Sequence, residues 1–191
     1  VLTGMMLIVM TTVSFYLITV YTPTFGKSVL KLSTLDSLLV TLFVGVSNFI
    51  WLPISGSLSD RIGRWPIMVV SSGLTLLTAY PLLSWLVEAP SYERMLGVEL
   101  WLSFLYASYN GATIAALAEV VPSHIRTMGF SLAYSLATAL FGGLTPLVVT
   151  WLIENTGDKA APGYWMAMAG ASGLIATTLI YKGIVKAKYP A

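Results

Sequence analysis

Glu99, Ser103, Tyr106, Asn110 and Thr113 follow one another at intervals of four, three, four and three residues inside a largely apolar run. On a helix turning ~100° per residue they share an arc of about 80°, with Tyr109 at its edge. Together they offer a carboxyl, hydroxyls, a phenol and an amide. Such a set can hold a polar solute by donating and accepting hydrogen bonds. A nucleophile beside a base, or paired carboxylates, would be needed for an intramembrane enzyme, and neither is present, so no catalytic residue is assigned.

A polar stripe of this length within a membrane helix faces protein or water rather than lipid. Asn110, and Asn48 on another apolar run, stand out because an amide at mid-membrane is costly without partners. Each either lines a pathway or is bonded within the bundle. Tyr106 and Tyr109 lie too deep for the aromatic belt at a membrane surface. They read as cavity lining or as core packing, as does Tyr16 in the series Thr12, Tyr16, Thr19. Ser131, Ser135, Thr138 and Thr145 form a further series with Gly142, and Thr41, Asn48 and Ser55 another. Their plainer use is packing and bonding back to their own helix. Tyr16, Asn48, Tyr106, Tyr109, Asn110 and Thr113 are the candidates for a substrate cavity.

Charge is concentrated elsewhere. Only 9% of the residues are charged, yet Asp60, Arg61 and Arg64 fall within five positions of the stretch GSLSDRIGRW. Gly63 suits a turn with positive φ, and Pro66 suits the first turn of the next helix. An ordinary basic loop explains Arg61 and Arg64, but not Asp60 or the two glycines, Gly56 and Gly63. A second charged elbow, AEVVPSHIRTMG, places Glu119 seven residues before Arg126. Carboxylates and arginines brought together at helix ends form a charge-assisted network. A network that holds only while the ends are close acts as a latch between two conformations.

The elements that must position these groups follow from hydropathy. The chain has 191 residues, is 57% hydrophobic and has a mean hydropathy of +0.82. A soluble domain would be about 25% charged. Apolar runs near 20 residues suit membrane helices, and six are expected over 3–25, 35–58, 66–87, 96–119, 129–153 and 164–181. Their continuity excludes the alternating strands of an outer-membrane barrel. Pro53, Pro81, Pro146 and the Gly142–Gly143 pair are either tolerated kinks or flexing points. Ala169, Gly170 and Gly173 permit close packing of the last helix.

Other classes fall away. No basic patch with interleaved aromatics suits nucleic acid. Cysteine is absent, and a single histidine, His124, makes no metal cluster; no metal or cofactor is expected. Neither a filter sequence nor a stripe of one charge sign suggests a channel. No cleavable signal peptide is visible, and the start at Val1 rather than Met suggests a piece of a longer chain. Arg61, Arg64, Arg126, Lys182, Lys186 and Lys188 fall on one side of the membrane, against Lys27, Lys31, Arg94 and Lys159 on the other. The bias places both elbows and both termini in the cytoplasm.

GSLSDRIGR resembles the loop signature of the major facilitator superfamily, G-x-L-x-D-R-x-G-R, through Gly56, Leu58, Asp60, Arg61, Gly63 and Arg64. Glu119 and Arg126 are similar to its E-x6-R pattern after the tenth helix. The stretch from ASYNGATIAALAEVVPSHIR to WLIENTGDKAAPGYW resembles the citrate and tricarballylate transporters of the metabolite-proton symporter family. The resemblance covers essentially the whole chain. It implies an all-α membrane protein, residues 1–191 being the C-terminal six-helix half of a twelve-helix fold in the bacterial inner membrane. It also implies proton-coupled uptake of citrate or a related tricarboxylate by alternating access, in partnership with an N-terminal six-helix half. First and fourth helices line the cavity in that family, which favours Tyr16 and the Tyr106–Thr113 face.

No Lys or Arg lies in the middle of a span. The counter-charge for a carboxylate substrate is therefore expected from the other half. Among titratable groups, Asp60 and Glu119 already serve the elbows. Asp36 and Glu99 fall near the outer surface and are expected to be solvated helix ends, as His124 is expected to be a solvated loop residue. The proton carrier is expected in the other half as well. A different reading is a half-module without transport activity of its own.

Overall fold

The computed structural model describes residues 2–120 and 126–188, with the side chains of residues 2, 118, 120, 126–127, 130 and 183–188 outside the described set. His124 and the side chain of Arg126 lie outside the described residues.

Six helical rods account for the described fold. Rod α1, residues 2–29, joins an α-helix Leu2–Phe15 to π-helical turns Tyr16–Tyr21 and Phe25–Val29, with Thr22–Thr24 between them. Next come α2 Thr34–Ile62, α3 Arg64–Glu88 and α4 Tyr92–Val120. Rod α5, residues 126–156, runs through Arg126–Ala137, a π-helical turn Thr138–Gly142 and Thr145–Thr156. Last is α6, Pro162–Lys188. Each rod extends past its apolar run. Hydropathy marks the stretch within hydrocarbon, while backbone hydrogen bonds continue the helix into the polar interface.

Among the described residues, five helices are long and apolar enough to cross a membrane: Thr3–Val29, Thr34–Ile62, Arg64–Glu88, Ser131–Thr156 and Pro162–Lys182. The exception, α4, is 29 residues long. Its polar stripe lowers its hydropathy, and the fold compensates by enclosure. Val98, Glu99, Leu102, Ser103, residues 105–109, Ala112 and Thr113 are all buried. Rods α2 and α3 pack along α4, α3 packs along α6, and α1 lies against α5 and α6. Rod α2 instead turns Leu35, Leu42, Val46 and Phe49 outward, the last 82% exposed. Lipid is the solvent that such a face requires.

Local signals set the ends of α2. Ser33 caps its start, Oγ accepting the Asp36 N–H at 3.0 Å. Gly63 ends it at φ 96°, its N–H donating to the Ser59 carbonyl at 3.1 Å. A residue with Cβ is strained at that φ, and the chain turns at once into α3. Because α2 reaches Ile62, Asp60 sits inside its last turn rather than beyond its end. Pro53 and Pro81 lie within continuous helices.

Candidate functional site

Arg64 is the hub of the elbow. Its Nη1 pairs with the Asp60 carboxylate one turn back and donates to Ser59 Oγ at 2.7 Å. Ser59 Oγ in turn donates to the Gly56 carbonyl at 2.7 Å. Nε and Nη2 both reach Glu119 Oε1 on α4, at 3.2 and 2.8 Å. Two N–H groups converging on one oxygen fall short of a fork-to-fork pair. The Arg64 side chain is 22% exposed, against 63% for Asp60 and 60% for Glu119. Isolated surface pairs contribute little; here one half-buried guanidinium ties three groups. Arg61 and Leu58 are exposed and lie outside this network. Of the Glu119–Arg126 pair, only Glu119 is described.

A contact invisible in the charges brings Glu119 within reach. Gly111 of α4 faces α2 so closely that a Cβ there would lie 2.9 Å from both Gly56 N and Leu52 O. Gly56 therefore serves the helix crossing, and Gly111 is its partner. Sequence reasoning missed Gly111, although a small residue on each of two neighbouring spans is the available signal.

A cavity of about 180 Å³ opens at mid-height between α1, α4 and α5. Thr12 and Tyr16 come from α1, Tyr106 and Asn110 from α4, Tyr134 and Thr138 from α5, with Thr11 and Phe15 completing the wall. Asn110 Nδ2 donates to Tyr106 Oη at 3.1 Å. A Cβ on Gly142 would meet the Tyr16 ring at 2.8 Å, so the π-helical turn of α5 seats that ring. The wall holds hydroxyls, phenols and an amide, and no charge.

Tyr16, Tyr106 and Asn110 thus meet in one cavity, while the other three candidates lie elsewhere. Asn48 sits between α2 and α4, where its Oδ1 accepts from Ser103 Oγ at 2.8 Å. Ser103 Oγ also lies 3.0 Å from Ser47 Oγ. Thr113 Oγ1 donates to its own helix at the Tyr109 carbonyl, 2.8 Å away. Tyr109 is fully buried against Met10 and Gly173, on α1 and α6. One 80° arc on α4 is shared between two neighbours, since periodicity gives an angle and not a partner. Tyr134 and Thr11 are wall residues that no candidate set contained.

Glu99 corrects an expectation. It is 1% exposed rather than a solvated helix end. Rod α4 begins at Tyr92, so Glu99 lies about two turns inside, and Glu93 takes the first-turn position.

The family model described as sugar (and other) transporter matches residues 1–189. The chain belongs to that family. The family is part of the major facilitator superfamily, and the chain is an integral membrane protein. A citrate-proton symporter of Klebsiella pneumoniae is 60% identical over 182 residues, 95% of this chain and 41% of the relative. A citrate-proton symporter of Salmonella typhi is 56% identical over 178 residues, 93% and 41%. A putative proline/betaine transporter of Staphylococcus aureus (strain COL) is 30% identical over 184 residues, 92% and 38%. The chain therefore spans about two fifths of the length of these curated relatives. No solved structure matches it.

Proposed function

We propose that this chain is the C-terminal six-helix half of a secondary transporter that takes up citrate or a related tricarboxylate with protons. The 60% identity to a citrate-proton symporter across 95% of the chain carries the reading. The family's relatives are transporters, and the chain acts as a carrier rather than an enzyme. It sits in the bacterial inner membrane with both termini cytoplasmic, as the excess of Lys and Arg on the elbow side suggests.

The cavity wall of α1, α4 and α5 contributes Tyr16, Tyr106 and Asn110 to the substrate. Their neutral donors read the shape of the anion. A multiply charged carboxylate at mid-membrane needs cations as well, and these come from the N-terminal half across the cavity. Asn48, Tyr109 and Thr113 support the wall from behind. The two halves rock about the substrate. Asp60, Arg64 and Glu119 hold the cytoplasmic ends of α2, α3 and α4 together during part of that cycle, with Arg61 and Arg126 as the remaining cations of the elbows. The coverage of two fifths of the relatives supports a second reading, a half-module inactive by itself.

Labelled citrate uptake under an inward proton gradient tests this. Cells make either this chain alone or this chain joined to its natural upstream sequence, at matched membrane levels. Uptake by the joined form alone, abolished by a protonophore, is expected. Uptake by the chain alone would remove the need for cations from another half. Silence in both forms would refute citrate as substrate.

A further inference from the structure

Glu99 is the one buried side chain among the chain's eight acidic residues; the other seven are exposed or half-exposed at helix ends and loops. Its Oε2 has no hydrogen-bond partner among the described residues. Thr22 of α1 is the polar side chain facing the carboxyl. That hydroxyl also reaches the Leu17 carbonyl at 3.1 Å, so its single proton is shared between two acceptors. An ionised carboxylate in such a place would have no counter-ion and at most one shared hydroxyl donor, and burying it would be very unfavourable. A neutral carboxylic acid fits, with its O–H donating to Thr22.

The charged groups at this end share none of the burial of Glu99. They are Lys27 on α1, Lys31 after it, Asp36 on α2, Glu88 on α3, Glu93 and Arg94 on α4 itself, Glu154 on α5, and Asp158 and Lys159 before α6, each exposed or half-exposed. The titratable Tyr21 of α1 interacts instead with Thr150 and Glu154 of α5. Phe25, Leu30 and Met95 are buried at the outer end of the same core.

Two features tie this carboxyl to moving parts. Thr22 stands on the short segment Thr22–Thr24, between the π-helical turns Tyr16–Tyr21 and Phe25–Val29. Single π-helical turns are frequent at functional sites and at helix kinks, and the first of these begins at the cavity residue Tyr16. On the other side, Ser103 lies one turn from Glu99, about 6 Å along the axis. Ser103 bonds Asn48 and is followed on the stripe by Tyr106 and Asn110 in the cavity wall. The polar stripe of α4 thus continues, by sequence position, from the buried acid to the level of the cavity.

We infer that Glu99 is an exchangeable proton-binding site, the group in this half through which proton movement is coupled to the solute. The inference rests on the proton-coupled reading above. An O–H bond forms on the carboxylate when water delivers a proton, and the acid then closes against Thr22. The same bond breaks when α1 flexes at its π-helical turns and water reaches Glu99 from the other side. This reverses the expectation that the proton carrier lies in the other half.

The test uses the full-length transporter in proteoliposomes, wild type against E99Q. Gradient-driven citrate accumulation is measured beside citrate–citrate exchange without a gradient. The ratio of accumulation to exchange should fall about tenfold or more in E99Q, the scale of a proton–solute coupling energy. An unchanged ratio overturns the inference. If E99Q is missing from the membrane, E99D replaces it; a shifted pH profile of uptake supports the inference, and an unshifted one overturns it. Infrared difference spectra between acid and alkaline buffer supply a readout independent of transport. A carboxylic-acid C=O component present in the wild-type spectrum and missing from that of E99Q supports proton binding at Glu99; identical spectra of wild type and E99Q overturn it. Should the wild type move no citrate under a gradient, the transport reading fails, and the infrared result still decides the proton site.

Discussion

Two glutamates on α4 lie twenty residues apart, about 30 Å along the helix, close to the thickness of the hydrocarbon core. Glu119 is 60% exposed and accepts two hydrogen bonds from Arg64. Glu99 is 1% exposed and faces one hydroxyl. One residue type on one helix therefore does opposite work. In water an ionised carboxylate gains from an arginine and can release it at little cost, which suits a latch. Away from water it must be neutral or paired, which suits a site that exchanges protons. The intervening stripe divides the same way. Its neutral hydroxyls and amide need no counter-charge, so they can stand at mid-membrane where no Lys or Arg does.

The crossing of α2 and α4 underlies both regions and should give the largest effect. Gly111→Leu places a side chain where even a Cβ would lie 2.9 Å from two backbone atoms of α2. We expect a stability loss of about 1–3 kcal/mol, read as a lower melting temperature in detergent, with the Arg64–Glu119 pair broken in the same variant. A variant as stable as wild type would mean that the helices part without consequence.

Breaking the latch alone comes next. Arg64→Ala should slow uptake about tenfold, the scale of charged hydrogen bonds worth about 1.5–3 kcal/mol, while membrane levels hold. Asp60→Asn should do less, because Glu119 keeps its bonds to the guanidinium. Equal rates in wild type and R64A would leave the elbow a structural turn only.

The stripe can then be split into cavity and support. Asn110→Ala removes one neutral hydrogen bond at the wall, worth about 0.5–1.5 kcal/mol. It should raise the KM for citrate several-fold with stability little changed. Ser103→Ala leaves Asn48 without its donor and should cost about 1 kcal/mol of stability with KM unchanged. The reverse pattern would move the binding face from α1 and α5 toward α2.

What the sequence makes legible follows from the range of each interaction. Asp60 and Arg64 are one turn apart, so their pairing is local and their spacing declares it. Glu119 is reached only through the second elbow's pattern, and Gly111 not at all, because that contact joins spans far apart in sequence. Glu99 was misplaced because hydropathy begins α4 at 96, whereas the helix starts at Tyr92 and draws the carboxyl inside. Asn48, Tyr109 and Thr113 share the polarity of Tyr106 and Asn110, and only the packing of neighbouring helices separates wall from support. The π-helical turns of α1 and α5 have no signature in residue type; they arise where Tyr16 seats against Gly142 and where Thr22 bonds five residues back to Leu17.

Tyr109 gives the smallest expected effect and sharpens the contrast with Tyr106. Both phenols are buried on α4, but Tyr106 Oη accepts from Asn110, whereas Tyr109 Oη accepts no hydrogen bond among the described residues. The threonines beside it have their protons committed, Thr113 to the Tyr109 carbonyl and Thr177 to the Gly173 carbonyl. Tyr109→Phe therefore removes a desolvated polar atom whose remaining option is to donate to a threonine lone pair. Stability should change by at most about 1 kcal/mol in either direction, and the KM should not move. Tyr106→Phe removes an acceptor at the cavity wall and should raise the KM about twofold or more. A large loss in Y109F would reveal a solute contact that the buried position conceals, and the cavity would then extend inward toward α6.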